Sequence, residues 1–307
     1  MLLDGILPIY KEPNLRSTDC VQQVRKILPR KTKIGHAGTL DSTAEGILLL
    51  LIGKATRLAN FIMSMPKIYK ATISFGVQTS TDDASGDIIV RKSTDYLTDE
   101  LIQETLPTFL GTRSQVPPNV SAVHIDGKRA HDLARSGENF QILPKNIQIL
   151  HIEQTKKFYD NTAEFVIECT KGTYIRSFAR DLGIALGTVA HIASLVRMKV
   201  WKFDNTMAIS SNMIKDLTFK SLQTYILHPR ILEGFLPTYR VDTSGEEAIK
   251  NGLELPLSDT KLLSLGQSEQ KNKLLLIGDS LLSLCNVTLK NNIIFASPKC
   301  NINLCSD

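Results

Sequence analysis

The chain has 307 residues, of which 42% are hydrophobic and 22% are charged, and this composition excludes a disordered or membrane-spanning protein. Its 36 Lys and Arg against 31 Asp and Glu give a net charge of +5, which suits a polyanionic partner without requiring one. The five cysteines form no Cys-x-x-Cys pair, and the six histidines show no metal-ligand spacing with them. We therefore expect a reduced, cytoplasmic protein without a structural metal, and neither an export signal nor a membrane span.

The first periodic segment is a predicted helix after Ser17, where Val21, Val24 and Ile27 recur at helical spacing until Pro29. A glycine-rich loop over residues 35–46 follows, with Asp41 at its centre, and an apolar run over residues 47–52 comes next. Glycine tolerates positive φ and a close approach to a ligand, so this loop could place Asp41 against a bound molecule. Spacing alone equally allows a loop aspartate that only closes a turn or caps the next element.

Two further stretches show period-two alternation of apolar and polar residues, which predicts half-buried strands over residues 69–75 and 163–169. Helical spacing predicts helices after Thr98 and from Ile175 to Gly187. Near the C-terminus, the turn sequence Gly278-Asp279-Ser280 between two apolar runs predicts a hairpin. The order of elements predicts an α+β fold: a mostly antiparallel mixed sheet with peripheral helices in residues 1–230, then a small β-rich domain in residues 231–307.

Three stretches resemble, in the same order along the chain, the motifs of pseudouridine synthases of the TruB type. They are GHAGTLDSTAEGILLLLIGKATR from Gly35, PPNVSAVHIDGKRA from Pro117 and KGTYIRS from Lys171. The resemblance implies the pseudouridine synthase fold with a C-terminal RNA-binding domain of PUA type. It also implies isomerisation of the T-loop uridine, position fifty-five of tRNA, to pseudouridine. The chain departs from the family pattern at four positions: Glu12, Leu15, Ser42 and His124.

The same resemblance assigns roles to individual residues. It makes Asp41 the catalytic residue and Tyr69 the ring that stacks on the target uracil, whereas strand position alone would leave Tyr69 as a core aromatic. Arg176 falls in the first turn of a predicted helix, where the helix dipole disfavours a cation, and the resemblance pairs it with Asp41, which would keep that carboxylate ionised. The remaining implied substrate-binding residues are His36, which would hold or displace neighbouring bases, and Tyr174 and Leu195, which would line the pocket.

Cations outside the pocket are candidates for RNA backbone contacts, although an ordinary solvated surface explains them equally well. These candidates are Arg57, Lys128 and Arg129, the last two on a short predicted helix that continues through Arg135 to Gly137. Moving one glycosidic bond within uridine requires no cofactor and no metal. We therefore expect the T-arm of tRNA as the partner of a monomer, without a guide RNA.

Two other functions stay open on the sequence. One is a guide-dependent relative that modifies other RNAs within a complex. The other is an RNA-binding or tRNA-folding module without catalysis, which would have no need of Asp41.

Overall fold

The computed structural model describes residues 4–121, 124–125, 128–129, 140–257, 272–291 and 293–304. The strands in these residues are β1 (Gly5–Lys11), β2 (Ile34–His36), β3 (Glu45–Ile52), β4 (Lys67–Phe75), β5 (Val77–Thr79), β6 (Ile88–Arg91), β7 (Gly111–Gln115), β8 (His124–Ile125), β9 (Lys128–Arg129), β10 (Lys145–Tyr159), β11 (Thr162–Cys169), β12 (Ala190–Val200), β13 (Ile209–Ser210), β14 (Thr238–Arg240), β15 (Leu255–Leu257), β16 (Lys273–Ile277), β17 (Leu281–Lys290) and β18 (Ile293–Asn303). The α-helices are α1 (Ser17–Ile27), α2 (Ala59–Met63), α3 (Asp99–Thr105), α4 (Ile175–Ala185), α5 (Phe219–Gln223) and α6 (Thr243–Lys250). Short 3-10 helices span Gly53–Leu58, Leu106–Phe109, Ser211–Asp216 and Pro229–Leu232.

Two sheets organise these elements. The larger has the strand order β13-β1-β3-β12-β4-β11-β10-β7, with β2 also paired to β3, and the smaller has the order β14-β16-β17-β18-β15. Neighbours are antiparallel except for β1 with β13, β3 with β12, and β14 with β16. The predicted α+β fold with a mostly antiparallel mixed sheet and a C-terminal β-rich part is therefore confirmed.

Strand β3 is buried on both faces, which explains its unbroken apolar sequence. Leu48 belongs to a cluster with Val21 of helix α1, whereas Leu49 points the other way and belongs to a cluster with Leu275 of the smaller sheet. Alternate residues of a strand face opposite sides, so one segment joins α1 to the C-terminal strands. The two sheets thus share part of their core, and the domain boundary after residue 230 stays a prediction.

The segment around Lys128 differs from its prediction. Lys128–Arg129 form a two-residue strand paired antiparallel with His124–Ile125, rather than the start of a helix. The intervening sequence is Asp-Gly, the pair favoured in two-residue hairpins, so local turn chemistry outweighs the helical spacing. Arg135 and Gly137, assigned to the same helix, lie outside the described residues. Across the part of the chain that is described, no helix has the length and apolar character needed to cross a bilayer.

Candidate active site

The loop that carries Asp41 connects β2 to β3 and is held by helix α1 and the segment before it. The hydroxyl of Ser17, at the start of α1, donates to the carbonyl of Leu40 at 3.0 Å and accepts from its N–H at 2.9 Å. On the other side of Asp41, the carbonyl of Ser42 accepts from the N–H of Asn14 at 2.8 Å and from Nζ of Lys11 at 3.3 Å. The backbone on both sides of Asp41 is therefore fixed.

Lys11, the last residue of β1, lies next to this loop. It is fully buried, and its Nζ also donates to the carbonyls of Glu12 and Leu15. Burial lowers the pKa of Lys11, and the negative charge of Asp41 is among the influences that raise it again. Its ammonium thus links the first strand to the Asp41 loop.

Asp41 lies beside Arg176, whose guanidinium is also held by backbone carbonyls from two other segments of the chain. Nε of Arg176 lies 2.9 Å from Oδ2 of Asp41, without the hydrogen-bond geometry that would direct the N–H at the carboxylate. The guanidinium also donates to the carbonyls of Thr81 at 3.0 Å and Val120 at 2.9 Å. The side chain of Arg176 is only 6% exposed, whereas that of Asp41 is 40% exposed. The cation is therefore fixed in the wall while the carboxylate faces open space.

A second carboxylate, that of Asp83, lies near the same nitrogen of Arg176. Oδ2 of Asp83 lies 3.9 Å from Nε of Arg176. Oδ1 of Asp83 accepts from the hydroxyls of Thr81 and Ser85 and from the N–H of Ser85, so this carboxylate is tied into its own turn. Asp83 supports Arg176 electrostatically but is buried, which leaves Asp41 as the accessible acid of the pair.

Asp41 opens onto a cavity of about 670 Å³. Its walls come from the Asp41 loop, from β4, from the turn before α4 and from β12; the residues used below are Asp41, Lys67, Tyr69, Tyr174, Arg176, Leu195 and Arg197. A cavity of this size with an apolar wall and a few convergent polar groups suits a small organic ligand such as a nucleotide.

Two tyrosines present their rings to this cavity. Burial raises the pKa of Tyr69, with the positive charge of Arg197 acting in the opposite direction. Burial also raises the pKa of Tyr174, opposed by Arg176. Both phenols are therefore uncharged near neutral pH. Gln115 fixes the backbone of Tyr174, because its side-chain amide accepts from the N–H and donates to the carbonyl of that residue.

The predicted site residues are not all brought together. Asp41, Tyr69, Tyr174, Arg176 and Leu195 line one cavity. His36 lies at the end of β2 outside the lining of that cavity; burial lowers its pKa, with a further contribution from Arg197. Arg57 is exposed in the last turn of a 3-10 helix, and only the backbone of Lys128 and Arg129 is described.

The cavity also contains two buried cations, Lys67 and Arg197, to which the sequence assigned no role. Lys67 is 6% exposed and donates to the carbonyls of Met63 and Met65, and burial lowers its pKa to about 8. Arg197 is 2% exposed. Strand periodicity predicts their position, because residues two apart in a strand face the same side. Lys67 stands two residues before Tyr69, and Arg197 stands two residues after Leu195.

A second cavity, of about 700 Å³, lies between the C-terminal end of α1 and β2. We call it the basic cleft; its cationic lining residues are Arg25, Lys26, Arg30, Lys31 and Lys33. Among the described residues that line it, none is acidic. Such a concentration of positive charge is suited to phosphate groups, and the run Arg30-Lys31-Thr32-Lys33 was its unused sequence signal.

Solved structures with the same fold are found at low sequence identity. A chain in a crystal structure of a Cbf5-Nop10-Gar1 complex superposes with a TM-score of 0.71 at 21% identity, over 98% of this chain and 85% of that one. A chain of the archaeal box H/ACA sRNP Nop10-Cbf5 complex gives a TM-score of 0.69 at 18% identity, over 96% and 85% of the two chains. These likenesses concern the fold.

Sequence comparison is more specific. The family model described as "TruB family pseudouridylate synthase (N terminal domain)" matches residues 25–175. A protein of Oceanobacillus iheyensis named tRNA pseudouridine synthase B is 36% identical over 83% of this chain and 85% of its own length. Proteins of the same name from Ehrlichia ruminantium and Streptococcus pyogenes are 42% and 34% identical, over 69% and 88% of this chain and 72% and 94% of their own.

The family model and the named relatives of 34–42% identity place this molecule among the pseudouridine synthases, which are isomerases. Within that class the chain belongs to the TruB family. The resemblance predicted from its three motifs is thereby confirmed.

Proposed function

We propose that the chain is a tRNA pseudouridine synthase that isomerises the T-loop uridine at position fifty-five, with Asp41 as the catalytic residue. The observation that carries this proposal is the accessible carboxylate of Asp41, 2.9 Å from the buried Arg176 at the wall of a cavity of about 670 Å³. The names of relatives at 34–42% identity support tRNA as the substrate.

The reaction breaks the bond from C1′ to N1 of uridine and forms a bond from C1′ to C5 of the same base. The C5 proton is lost and N1 gains one, so the reaction needs no net oxidation or reduction. Cleavage develops positive charge at C1′, which a nearby carboxylate can stabilise, attack covalently, or relieve by removing a ribose proton. An ionised Asp41 fits each of these roles. Arg176 places a buried positive charge 2.9 Å from this carboxylate.

The target uracil is stacked within folded RNA and must be extruded before Asp41 can reach its C1′. Aromatic rings compensate for the lost stacking, by roughly 1 to 3 kcal/mol for each base. Tyr69 and Tyr174 provide uncharged rings on two walls of the cavity, and Leu195 provides an apolar surface on β12. In this proposal these three side chains hold the base while it is detached, turned and rejoined. His36 would act outside the cavity, on the bases next to the extruded one.

The RNA around the target requires a positively charged surface. The basic cleft is lined by Ile34 and Gly35 of β2, the strand that precedes the Asp41 loop, and we assign this cleft to phosphates of the bound tRNA. We assign Arg57, Lys128 and Arg129 to further backbone contacts. We also propose that the enzyme acts in the cytoplasm as a monomer on the T-arm of free tRNA, without a guide RNA or cofactor.

Tritium release from tRNA carrying uridine labelled at C5 tests the proposal. We expect release with the wild-type chain and none with Asp41→Asn, which keeps the shape of the side chain but removes its charge. Asp87→Asn, in an exposed turn nearby, is the matched control and should retain activity. Both variants should bind tRNA as the wild type does.

The outcomes separate the alternatives. Release that persists when the T-loop uridine is replaced by cytidine would contradict the proposed position. Tight tRNA binding without release by any variant would favour the folding module. Release only from another RNA in the presence of a guide would favour the guide-dependent relative.

A further inference from the structure

Arg197 lies on β12, the strand between β3 and β4 in the larger sheet. It is the position of β12 that pairs with Gly46 of β3 on one side and with Tyr69 of β4 on the other. A Cβ on Gly46, whose φ is +110°, would lie only 2.3 Å from the carbonyl oxygen of Arg197. The end of the Asp41 loop and the strand of Tyr69 therefore meet on the backbone of this one residue.

The side chain of Arg197 then returns to the Asp41 loop. Its Nε donates to the carbonyl of Ile47 at 2.6 Å, while the two terminal nitrogens donate to the carbonyls of Thr39 at 3.3 Å and Gly38 at 3.2 Å. Gly38 and Thr39 precede Asp41, and Ile47 follows the loop. The rigid, planar fork of the guanidinium thus connects both ends of the loop.

This guanidinium differs from those of Arg176 and Arg180 in its ion pairing. Arg176 and Arg180 each form ion pairs with carboxylates, but within the described residues no carboxylate forms one with Arg197. Its guanidinium donates to three backbone carbonyls, and a buried charge of this kind acts over a longer range than an exposed one. Its effect reaches the groups around it, because Arg197 lowers the pKa of Lys67 and His36 and opposes the rise at Tyr69.

We propose that Arg197 is a positioning residue, which fixes the loop of Asp41 relative to the ring of Tyr69. The inference rests on the proposed function, in which the carboxylate and the ring act on the same nucleotide. These two groups come from different strands, and β12 is the strand that lies between them. A displacement of about 1 Å between reacting groups can lower a rate about 100-fold, so a residue that bonds to both ends of the loop controls the rate through the position of the loop.

Single-turnover pseudouridine formation at saturating tRNA, with the tRNA dissociation constant measured separately, tests this role. We expect Arg197→Met to lower the rate constant about 100-fold while changing the dissociation constant less than about threefold. Arg197→Lys keeps the buried cation but loses the fork, so it should recover part of the rate. Arg230→Met is the matched control, because Arg230 also donates to two backbone carbonyls, those of Gly278 and Asp279, far from the cavity.

Hydrogen exchange separates positioning from general destabilisation. We expect the amides of residues 38–44 to exchange faster in both Arg197 variants, and to be unchanged in Arg230→Met. A wild-type rate in Arg197→Met would overturn the proposal, as would an equal loss of rate per folded molecule in Arg230→Met or unchanged exchange in the loop. If the wild-type chain itself forms no pseudouridine, the proposed function fails and the positioning role fails with it. If the wild type is active and Arg197→Met is equally active, only the positioning role fails. Should Arg197→Met not fold, the Lys variant decides: a wild-type rate there overturns the proposal.

Discussion

Substituting Ser17 with alanine should weaken both the fold and the reaction, because one hydroxyl supports the residue next to Asp41. The hydroxyl is 23 residues away in sequence and satisfies both backbone groups of Leu40. Ser17 and Leu40 are 3% and 4% exposed, so water does not readily replace the lost partner.

The magnitude follows from the two groups left behind. A buried N–H or carbonyl without a partner costs about 1 to 3 kcal/mol, and partial relaxation of the loop recovers some of that cost. Alanine gains a few tenths of a kcal/mol through its higher helix propensity at the start of α1. We therefore expect Ser17→Ala to lose about 2 to 4 kcal/mol in the free energy of unfolding. The rate of pseudouridine formation should fall about 10- to 100-fold, since Asp41 directly follows the released residue.

Urea denaturation and single-turnover kinetics measure the two effects on the same preparations. Thr18→Ala is the matched control, because it removes a hydroxyl from the adjacent, exposed residue of the same helix. Only Ser17→Ala should shift the unfolding midpoint and the rate. Indistinguishable stability and rate in the two variants would refute the inference that this hydroxyl holds the loop.

Three further predictions follow from individual contacts. Gly46→Ala should be severely destabilising in urea denaturation, because its Cβ would meet a backbone carbonyl at 2.3 Å, whereas Gly35→Ala has nothing within 4 Å and should be tolerated. Burial lowers the pKa of Lys67 from 10.5 to about 8, so between these values the unfolded chain binds a proton that the folded chain does not. As the pH rises through that window, the free energy of unfolding of the wild type should increase relative to that of Lys67→Met by up to about 1.4 kcal/mol per pH unit, measured from melting curves. A difference between the two proteins that is independent of pH would contradict this prediction. In the basic cleft, Arg30→Glu should lower the affinity for tRNA and reduce the slope of that affinity against salt concentration. Lys215→Glu, on an exposed 3-10 helix, should change neither quantity.

The regular elements of the larger sheet were predictable because burial on one face leaves a period in the sequence. Strand β11 alternates buried and half-buried residues along its whole length, and helix α4 buries Phe178 and Leu182 on the side that packs on the sheet. The continuous apolar run of β3 indicates a buried element, but it does not reveal the two-sided packing between α1 and the smaller sheet. Periodicity shows that a face is buried and does not show which element covers it.

The contacts that build the site were less predictable, since they join side chains to the backbone across long stretches of sequence. Arg197 and Gly38 are separated by 159 residues, and Arg176 and Thr81 by 95. No local pattern encodes such a bond. The cations themselves were nevertheless visible, because a lysine or arginine on the apolar face of a strand must find acceptors once it is buried. Reading Lys67 and Arg197 in this way would have placed both at the cavity.

The two members of the Arg176–Asp41 ion pair differ in how far the fold buries and fixes them. Arg176 lies in the first turn of α4, where the helix dipole opposes its charge, and it needs compensation there. Two carbonyls from distant segments, those of Thr81 and Val120, supply part of it and fix the guanidinium in place. Asp41 and Asp83 supply negative charge, yet 40% of the Asp41 side chain stays exposed against 6% for Arg176. The carboxylate is thus the member that can meet a substrate, and the guanidinium is the member that the surrounding backbone holds in place.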